Sequence, residues 1–200
     1  MSWIPSIPYE NAVGALRRLY DRIKGPEGHL DNILTVHGLR PHSLEGHMRL
    51  YKNVLHHAGN TLPKWLLETI GTYVSMLNDC GYCVAHHQAG LERLTGTVRA
   101  QGIQDALTSG EFKGTFTPRE QAILAYTKAL TLTPQQVTEN MVVAMKEEGL
   151  SDGEVLEVNQ IVAYFAYANR TVLGLGVALE ASGIGLSPGD NSDPENWSHG

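Results

Sequence analysis

Apolar residues along this chain recur at spacings of three and four, and alternating runs rich in Val, Ile and Thr are missing. That period is typical of helices that bury one face. The pattern therefore predicts an all-α protein. The predicted helices cover about 9–24, 41–57, 62–78, 80–94, 98–107, 118–130, 134–148 and 152–169, with a short helix before Pro41 and a last helix that ends near Ala181.

The third of these long helices is the most apolar. It follows Thr61, a predicted N-cap, and apolar side chains cover most of its circumference. A helix of that kind is predicted to lie in the middle of the fold. Asn78, Asp79 and Gly81 then interrupt the pattern, and Asp79 is the predicted N-cap of a helix that begins near Cys80.

A weak internal echo predicts how the domain is organised. When the chain is shifted by 89 residues, the segment from Glu68 falls on the segment from Glu157, and Cys80 falls on Asn169. The match is one of patterning, in which a long buried helix is followed by a helix of small residues. We predict one all-helical domain over 1–186, with a thiol-bearing unit at about 41–96, a degenerate second unit at about 117–182, and a polar tail over 187–200 that is mobile or lies over a neighbour.

The composition narrows the class of protein. The 200 residues include 15 Lys and Arg and 21 Asp and Glu, which gives a formal net charge of -6, and no segment interleaves basic residues with aromatic ones. We therefore expect no nucleic-acid partner. There is no run of about 18 apolar residues and no charged leader before an apolar stretch, so we expect a cytoplasmic protein without a membrane partner. In that compartment, two neighbouring cysteines are more often catalytic or metal-binding than structural.

Both cysteines of the chain, Cys80 and Cys83, stand in one short segment, with His87 four residues further on. On a helix these three side chains lie on one face, and residues four apart meet on successive turns. A Cys-x-x-Cys pair can close into a disulfide and reopen, and His87 can exchange a proton with the Cys83 sulfur. Glu68 can approach the sulfurs from the preceding helix if the chain reverses at the break.

Ionisation of a thiol at neutral pH needs more than a helix terminus. Lowering the pKa of a free thiol by about two units corresponds to about 2.7 kcal/mol, whereas a helix N-terminus supplies about 0.3 to 1 kcal/mol. We therefore expect His87 or another polar partner to contribute most of the rest.

The spacing of Glu68, Cys80, Cys83 and His87 resembles that of the alkyl hydroperoxidase D (AhpD) branch of the carboxymuconolactone decarboxylase-like superfamily. Three surrounding segments are similar to the peroxidase-related subgroup: YCVAHH at 82–87, RPHSLEGHMRLY at 40–51 and ANRTVLGLGVALE at 168–180. The resemblance covers most of the chain. It implies an all-helical AhpD-like fold that usually assembles into homo-oligomers.

The resemblance also implies an activity and the residues that carry it. The activity would be reduction of organic hydroperoxides, with Cys83 as the attacking thiolate, Cys80 as the resolving thiol, and Glu68 with His87 as the proton relay that activates Cys83. An external dithiol would restore both thiols, and no metal or organic cofactor is needed. The chain departs from the family's pattern at Tyr82, where characterised peroxidases often carry a histidine.

Three other functions fit part of this pattern. A general disulfide reductase or redox relay would use the same thiols and leave peroxides nearly untouched. A zinc site would use Cys80, Cys83, His86 and His87, although all four ligands crowd onto one helix. A lactone decarboxylase is disfavoured because that branch of the superfamily lacks the paired thiols.

The other polar residues near these motifs have simpler interpretations. Asn169 and Arg170 are interpreted as a helix junction with an ion pair, the alternative being a contact to the active pocket. The remaining histidines of the motifs are interpreted as structural: His42, His47, His56, His57 and His86. For the four histidines within 42–57, the alternative is a place near the thiol pocket.

Overall fold

A computed structural model describes residues 2–181, 183–193 and 195–199 of the chain. Within these ranges the chain forms helices and no β-strand, so the prediction of an all-α protein is confirmed. Short 3-10 turns cover Tyr9–Asn11, Pro26–Gly28 and Pro134–Gln136. The α-helices are α1 (Gly14–Ile23), α2 (Asn32–His37), α3 (Pro41–Leu55), α4 (Lys64–Leu77), α5 (Gly81–Thr95), α6 (Thr97–Ser109), α7 (Pro118–Leu132), α8 (Glu139–Glu147) and α9 (Asp152–Leu175).

Helix α4 occupies the centre of the fold, as its apolar circumference predicts. Every residue from Leu66 to Ser75 is buried, and α4 packs against α5, α7 and α9. The approach of α9 is close at Gly71, where an added Cβ would come within 2.2 Å of the Phe165 ring. A side chain at that position would push the two helices apart, so the small residue sets the distance between them.

The break between α4 and α5 has the geometry of a Schellman motif. Asp79 adopts a left-handed backbone with φ of 55°, and the Cys80 N–H donates to the Ser75 carbonyl at 2.9 Å. The Asp79 N–H donates to the Met76 carbonyl at 3.1 Å. These bonds satisfy the last carbonyls of α4 and reverse the chain. Cys80, rather than the predicted Asp79, therefore becomes the N-cap of α5.

Three other boundaries differ from those predicted. Thr61 does not cap α4, because its N–H and hydroxyl bind the Glu157 carboxylate at 2.9 and 3.0 Å, and Pro63 takes the N-cap position. The first predicted helix loses its beginning because Gly14 has φ of 57°. The helix predicted from Pro134 begins as a 3-10 turn, and α8 starts only at Glu139.

The predictions of a helix end near Asn169 and of a separate helix near Ala181 are wrong. Helix α9 runs unbroken from Asp152 to Leu175, since its buried stripe continues through Asn169 to Val172. It ends where Gly176 adopts the left-handed conformation with φ of 60°. The shifted segment that matches the broken pair α4 and α5 is therefore mostly one continuous helix.

The polar tail lies against its own chain. We call residues 183–193 and 195–199 the C-terminal strap. Lys52, whose side chain is buried, binds the Gly189 carbonyl and, at 2.9 Å, the Asn191 side chain. The Trp197 ring is fully buried and lies 3.9 Å from the Arg22 guanidinium carbon. The His199 Nδ1 donates to the Ile23 carbonyl at 2.9 Å.

No helix within the described part of the chain has both the length and the apolar character needed to cross a bilayer.

Candidate active site

An internal cavity of about 50 Å³ lies between α4, α5, α9 and the strap. Cys83, Glu68 and His87 all line it, whereas Cys80 does not. Such a volume has room for about four water molecules. Aromatic and polar side chains complete the wall, principally His47, Tyr51, His86, Tyr164 and Phe165, and the strap contributes Gly185, Leu186, Ser187 and His199.

The two thiols form a close pair at the beginning of α5. The Cys80 and Cys83 sulfurs are 2.9 Å apart and share a hydrogen bond, and both cysteines are free rather than disulfide-bonded. Cys80 is fully buried and Cys83 is 4% exposed. Only Cys83 therefore presents its sulfur to the cavity, as an attacking group must.

The two sulfurs differ in how readily they ionise. The hydrogen bond between the sulfurs, together with one from the Cys83 backbone N–H, lowers the pKa of Cys80 against the effect of burial. The same sulfur–sulfur bond and burial raise the pKa of Cys83. Of the two sulfurs, Cys80 is therefore the one that ionises more readily. The sequence led us to expect the charge on Cys83, so attack by Cys83 requires that its proton first move elsewhere.

Glu68 and His87 form a hydrogen-bonded pair on the facing surfaces of α4 and α5. His87 Nδ1 donates to Glu68 Oε2 at 2.6 Å, and the carboxylate is buried. Burial acts to raise the pKa of Glu68, but the charge and hydrogen bond of His87 outweigh it and hold that pKa below its usual value. Phe165 meets the His87 ring edge-on, with centroids 4.5 Å apart. The imidazole is therefore fixed, with Nε2 left to exchange protons.

The structure brings the four predicted site residues into two pairs rather than one cluster. Cys80 contacts Cys83, and Glu68 contacts His87. Both Cys83 and His87 line the cavity, but no direct hydrogen bond joins them in the described structure. A proton that passes between them must cross the cavity.

A second imidazole–carboxylate pair adjoins the first. His86 Nε2 lies 2.8 Å from Glu180 Oε2, and the Tyr82 hydroxyl donates to Glu180 Oε1 at 2.8 Å. Burial acts to raise the pKa of Glu180, but the His86 hydrogen bond and the Asn32 N–H outweigh it and lower that pKa. This network ties the residues after α9 to α5 and to the start of α2.

The residues that could hold a metal ion share only His86 with the zinc site that the sequence suggested. Within the described ranges, a single group of three ligand types converges to within 4.8 Å: Asp31, His86 and Glu180. Both Glu180 oxygens already accept hydrogen bonds in the network described above. The two cysteines do not join His86 and His87 in such a group, because each histidine faces a carboxylate instead.

Sequence reasoning missed the residues that close the cavity. Asp31 stands before α2 without a motif, and the strap has no helical period. Glu180 ends the family-like segment 168–180, but no role was predicted for it. Tyr51 and Tyr164 were visible only as parts of apolar helix faces. A signal did exist for α3, since Leu44, Met48 and Tyr51 share a face that points inward.

A larger outer cavity of about 260 Å³ adjoins the inner one. The two share Glu68, Gly90, Gly185 and Ser187 as lining residues. Lys64, Arg93 and Asp190 place charges around the outer cavity. The strap therefore forms the partition between solvent and the Cys83 sulfur.

Comparison with known proteins identifies the fold. No protein-family model and no curated protein matches the sequence. Among solved structures, an AhpD-core, uncharacterised peroxidase-related protein from Ralstonia eutropha matches with a TM-score of 0.75 at 22% identity, over 90% of this chain and 93% of that one. A peroxidase-related protein from Silicibacter matches with a TM-score of 0.69 at 19% identity, over 78% and 79%.

A third similar structure is the debrominase Bmp8 in complex with 2,3,4-tribromopyrrole. It matches with a TM-score of 0.65 at 19% identity, over 84% of each chain. The chain thus has the AhpD-like helical fold, as the sequence predicted. At these identities the similarity establishes the fold alone.

Proposed function

We propose that this protein is a thiol-dependent peroxidase that reduces organic hydroperoxides through Cys83 and Cys80. The proposal rests on one observation: Cys83 lines a cavity with the Glu68–His87 pair, and a second thiol lies 2.9 Å behind it. The pair can be oxidised without chain movement, because the second sulfur already lies beside the first. Neither a metal nor an organic cofactor takes part in this reaction.

The first step consumes the peroxide. The proton shared by the sulfurs passes to Cys80 or across the cavity to His87, and the Cys83 thiolate attacks the outer peroxide oxygen. The O–O bond breaks, Cys83 becomes a sulfenic acid, and the alkoxide takes a proton and leaves as an alcohol. His87 can supply that proton from Nε2, because its Nδ1 is held by Glu68 and the ring lines the cavity.

The second step closes the disulfide, and the third reopens it. Cys80 attacks the Cys83 sulfenic sulfur, and water leaves with the hydroxyl group and one proton. An external dithiol then reduces the disulfide by two thiol exchanges and becomes a disulfide itself. Its first attack must reach Cys83, since Cys80 is fully buried. The assembly into homo-oligomers and the cytoplasmic location that we expect from the sequence stay predictions.

The size of the cavity bears on the substrate. A space for about four water molecules accommodates the peroxide group and little of an attached organic chain. A bulky hydroperoxide must therefore displace the strap or extend past Ser187 into the outer cavity, which shares that lining residue. We expect small alkyl hydroperoxides to react faster than bulky ones.

The test is stopped-flow mixing of the reduced protein with ethyl, tert-butyl and cumene hydroperoxides. We expect loss of two thiols for each peroxide in the wild type and no loss above background in Cys83→Ser. Cys80→Ser should lose one thiol and accumulate a sulfenic acid that dimedone traps. Thiol loss in the wild type no faster than in Cys83→Ser would reject the peroxidase. Rapid reduction of oxidised lipoamide in that case would establish the general disulfide reductase instead.

A second candidate reaction is reductive dehalogenation of an aromatic ring. Tyr51, Tyr164 and Phe165 line the cavity beside Cys83, and the similar debrominase structure contains a brominated pyrrole. The two thiols would supply two electrons: the aryl bromide becomes the arene, the cysteines become a disulfide, and hydrogen bromide is released. Incubation of the reduced protein with 2,3,4-tribromopyrrole should then release one bromide per disulfide, and no bromide release would exclude this reaction.

A further inference from the structure

Gly90 lies inside helix α5 and lines both the inner and the outer cavity. Glycine is among the poorest helix formers, so its presence here costs helix stability. The backbone does not require it, because Gly90 is not one of the glycines with positive φ. Close packing does not require it either, because an added Cβ would come no nearer than 3.5 Å to the described atoms packed around it.

The atoms nearest to the missing side chain of Gly90 belong to the Glu68 carboxylate. An added Cβ would lie 3.5 Å from Glu68 Oε2, 3.6 Å from its Cδ and 3.9 Å from its Oε1. These are ordinary van der Waals distances. Gly71 differs, because there an added Cβ would come within 2.2 Å of the Phe165 ring. Helix packing therefore explains the glycine at 71, whereas the glycine at 90 leaves a space of one methylene group between α5 and Glu68.

This space lies between Cys83 and the outer cavity. Cys83, His87, Gly90 and Leu94 follow one another at helical spacings of four, three and four, which places them on one face of α5. Cys83 and His87 line the inner cavity, Gly90 lines both, and Leu94 lines the outer one. Leu94 is 49% exposed, so this row of residues ends at solvent. From Cys83 to Gly90 the helix rises about 10 Å.

We propose that Gly90 is a specificity-determining residue, which lets an unbranched alkyl chain extend from the inner cavity into the outer one. The peroxide group lies beside Cys83, the chain passes over Gly90 next to Glu68, and its far end lies near Leu94. The inference rests on the proposed function and narrows its substrate class to primary hydroperoxides with a linear chain. A branched or cyclic substituent does not fit a space of one methylene group, so it reaches Cys83 only when the strap moves.

The test measures access to Cys83 without any peroxide, in a Cys80→Ser background. The probes are methyl, hexyl and cyclohexyl methanethiosulfonate. The Cys83 thiolate attacks the sulfur that carries the alkyl group, the bond to the sulfonyl sulfur breaks, and methanesulfinate leaves; mass spectrometry follows the mixed disulfide. We expect Gly90→Ala to slow the hexyl probe about tenfold and to leave the methyl probe unchanged, because one misplaced methyl group in a fitted site has an effect of that size. The cyclohexyl probe should react more slowly than the hexyl probe in the parent protein.

Gly102→Ala is the matched control. Gly102 lies inside α6 and lines neither cavity, and an added Cβ there would meet nothing within 4 Å. Both substitutions put a better helix former into a helix, so both should raise the midpoint of urea unfolding. Only Gly90→Ala should change the ratio of the hexyl rate to the methyl rate. If Gly90→Ala does not fold, Leu94→Trp obstructs the outer end of the same route, and we expect it to slow the hexyl probe selectively.

An unchanged rate ratio in Gly90→Ala, or in Leu94→Trp where Gly90→Ala does not fold, would overturn the inference. An equal loss with the methyl and hexyl probes would also overturn it, because the added methyl group would then act on Glu68 and not on the route. These outcomes are distinguishable from failure of the proposed function, because the probes contain no peroxide. If the ratio changes while wild-type Cys83 does not react with ethyl or hexyl hydroperoxide, the route along Gly90 holds and the peroxidase fails.

Discussion

The two sides of the cavity differ in how their buried histidine rings are bonded. On the side formed by α4 and α5, the thiols bond to each other and His87 bonds to Glu68. On the side formed by α3, His47 Nδ1 and His56 Nε2 are buried with no hydrogen-bond partner among the described residues. Paired groups can hold a charge in the interior, whereas unpartnered ones stay neutral.

The pKa shifts follow the same division. Burial lowers the pKa of His47 to about 3 and that of His56 to about 4, so both imidazoles are neutral at pH 7. His87 instead holds the pKa of Glu68 below its usual value in spite of burial. Within the proposed mechanism, this difference assigns proton transfer to the α5 side and leaves packing to the histidines of the α3 side.

The largest expected effect is on the pH dependence of stability, and it tests the α3 side, where the buried histidines are neutral. His47 has a lower pKa in the folded protein, about 3, than in the unfolded chain, about 6.5, so its stabilising contribution is complete above pH 6.5 and is lost as pH falls towards 3. The loss amounts to at most ~5 kcal/mol. We expect urea unfolding of the wild type to show this fall, and His47→Leu to lack a large part of it.

A matched variant separates this effect from general acid destabilisation. His42 lies on the same helix, and its side chain is exposed. His42→Leu should keep the full pH dependence of the wild type. Equal slopes for His47→Leu and His42→Leu would show that His47 carries its proton in the folded state, and the contrast between the two sides would fail.

The next effect is on the rate of Cys83 oxidation, and it tests the α5 side with its Glu68–His87 pair. In the proposed mechanism His87 exchanges protons with Cys83, so His87→Gln removes that group. Glu68→Gln removes the carboxylate that holds the His87 ring through Nδ1. We expect the rate of Cys83 oxidation at pH 7 to fall ~100-fold in His87→Gln and by less in Glu68→Gln, a range typical of general acid–base catalysis. The rates are measured by stopped-flow thiol loss, with the pH profile as a second readout.

Glu157 provides the control for these variants. It is the counterpart of Glu68 in the internal echo, but its carboxylate binds the N–H groups of Thr61 and Leu62, at 2.9 and 3.0 Å. Glu157→Gln should leave the rate and its pH profile as in the wild type. If His87→Gln and Glu157→Gln react at the same rate, His87 takes no part in the proton relay.

The sequence predicted the paired side of the cavity far better than the other. The Cys-x-x-Cys spacing and the apolar circumference of α4 are local patterns. Helix geometry alone then places the two thiols on one face of α5 and α4 in the core. The break at Asn78 and Asp79 was also predicted from the sequence, since both residues favour turns and helix ends. The α4–α5 geometry follows from these signals alone.

The strap and the residues that follow α9 depend on contacts that no local pattern encodes. His86 and Glu180 are 94 residues apart, and Lys52 and Asn191 are 139 apart. The strap is polar and aperiodic, so its sequence resembles that of a mobile tail although it packs onto the chain. The predicted helix end near Asn169 was wrong for a related reason. The residues after Asn169 carry no combination that stops a helix before Gly176, so α9 continues to Leu175.

The smallest expected effect concerns the strap. The Asp190 carboxylate binds Lys64 and, at 3.3 Å, His56 Nδ1; burial acts to raise its pKa, but these partners outweigh burial and lower it to about 2. Because its side chain is 47% exposed, Asp190→Asn should cost at most ~1 kcal/mol of unfolding free energy. If the contact that holds the strap closed loses that much free energy, the fraction of molecules with an open strap rises about fivefold.

That opening should be visible at Cys83, because the strap separates its sulfur from solvent. We expect Asp190→Asn to raise the rate of alkylation by a bulky maleimide about fivefold, as the open population rises, and to change the rate with iodoacetamide less. Asp193→Asn is the control, since the Asp193 side chain accepts from the Glu195 N–H at 2.9 Å, within the strap itself. Equal rates in the two variants would mean that the Asp190 contact does not govern access, and that the α3 side contributes only packing.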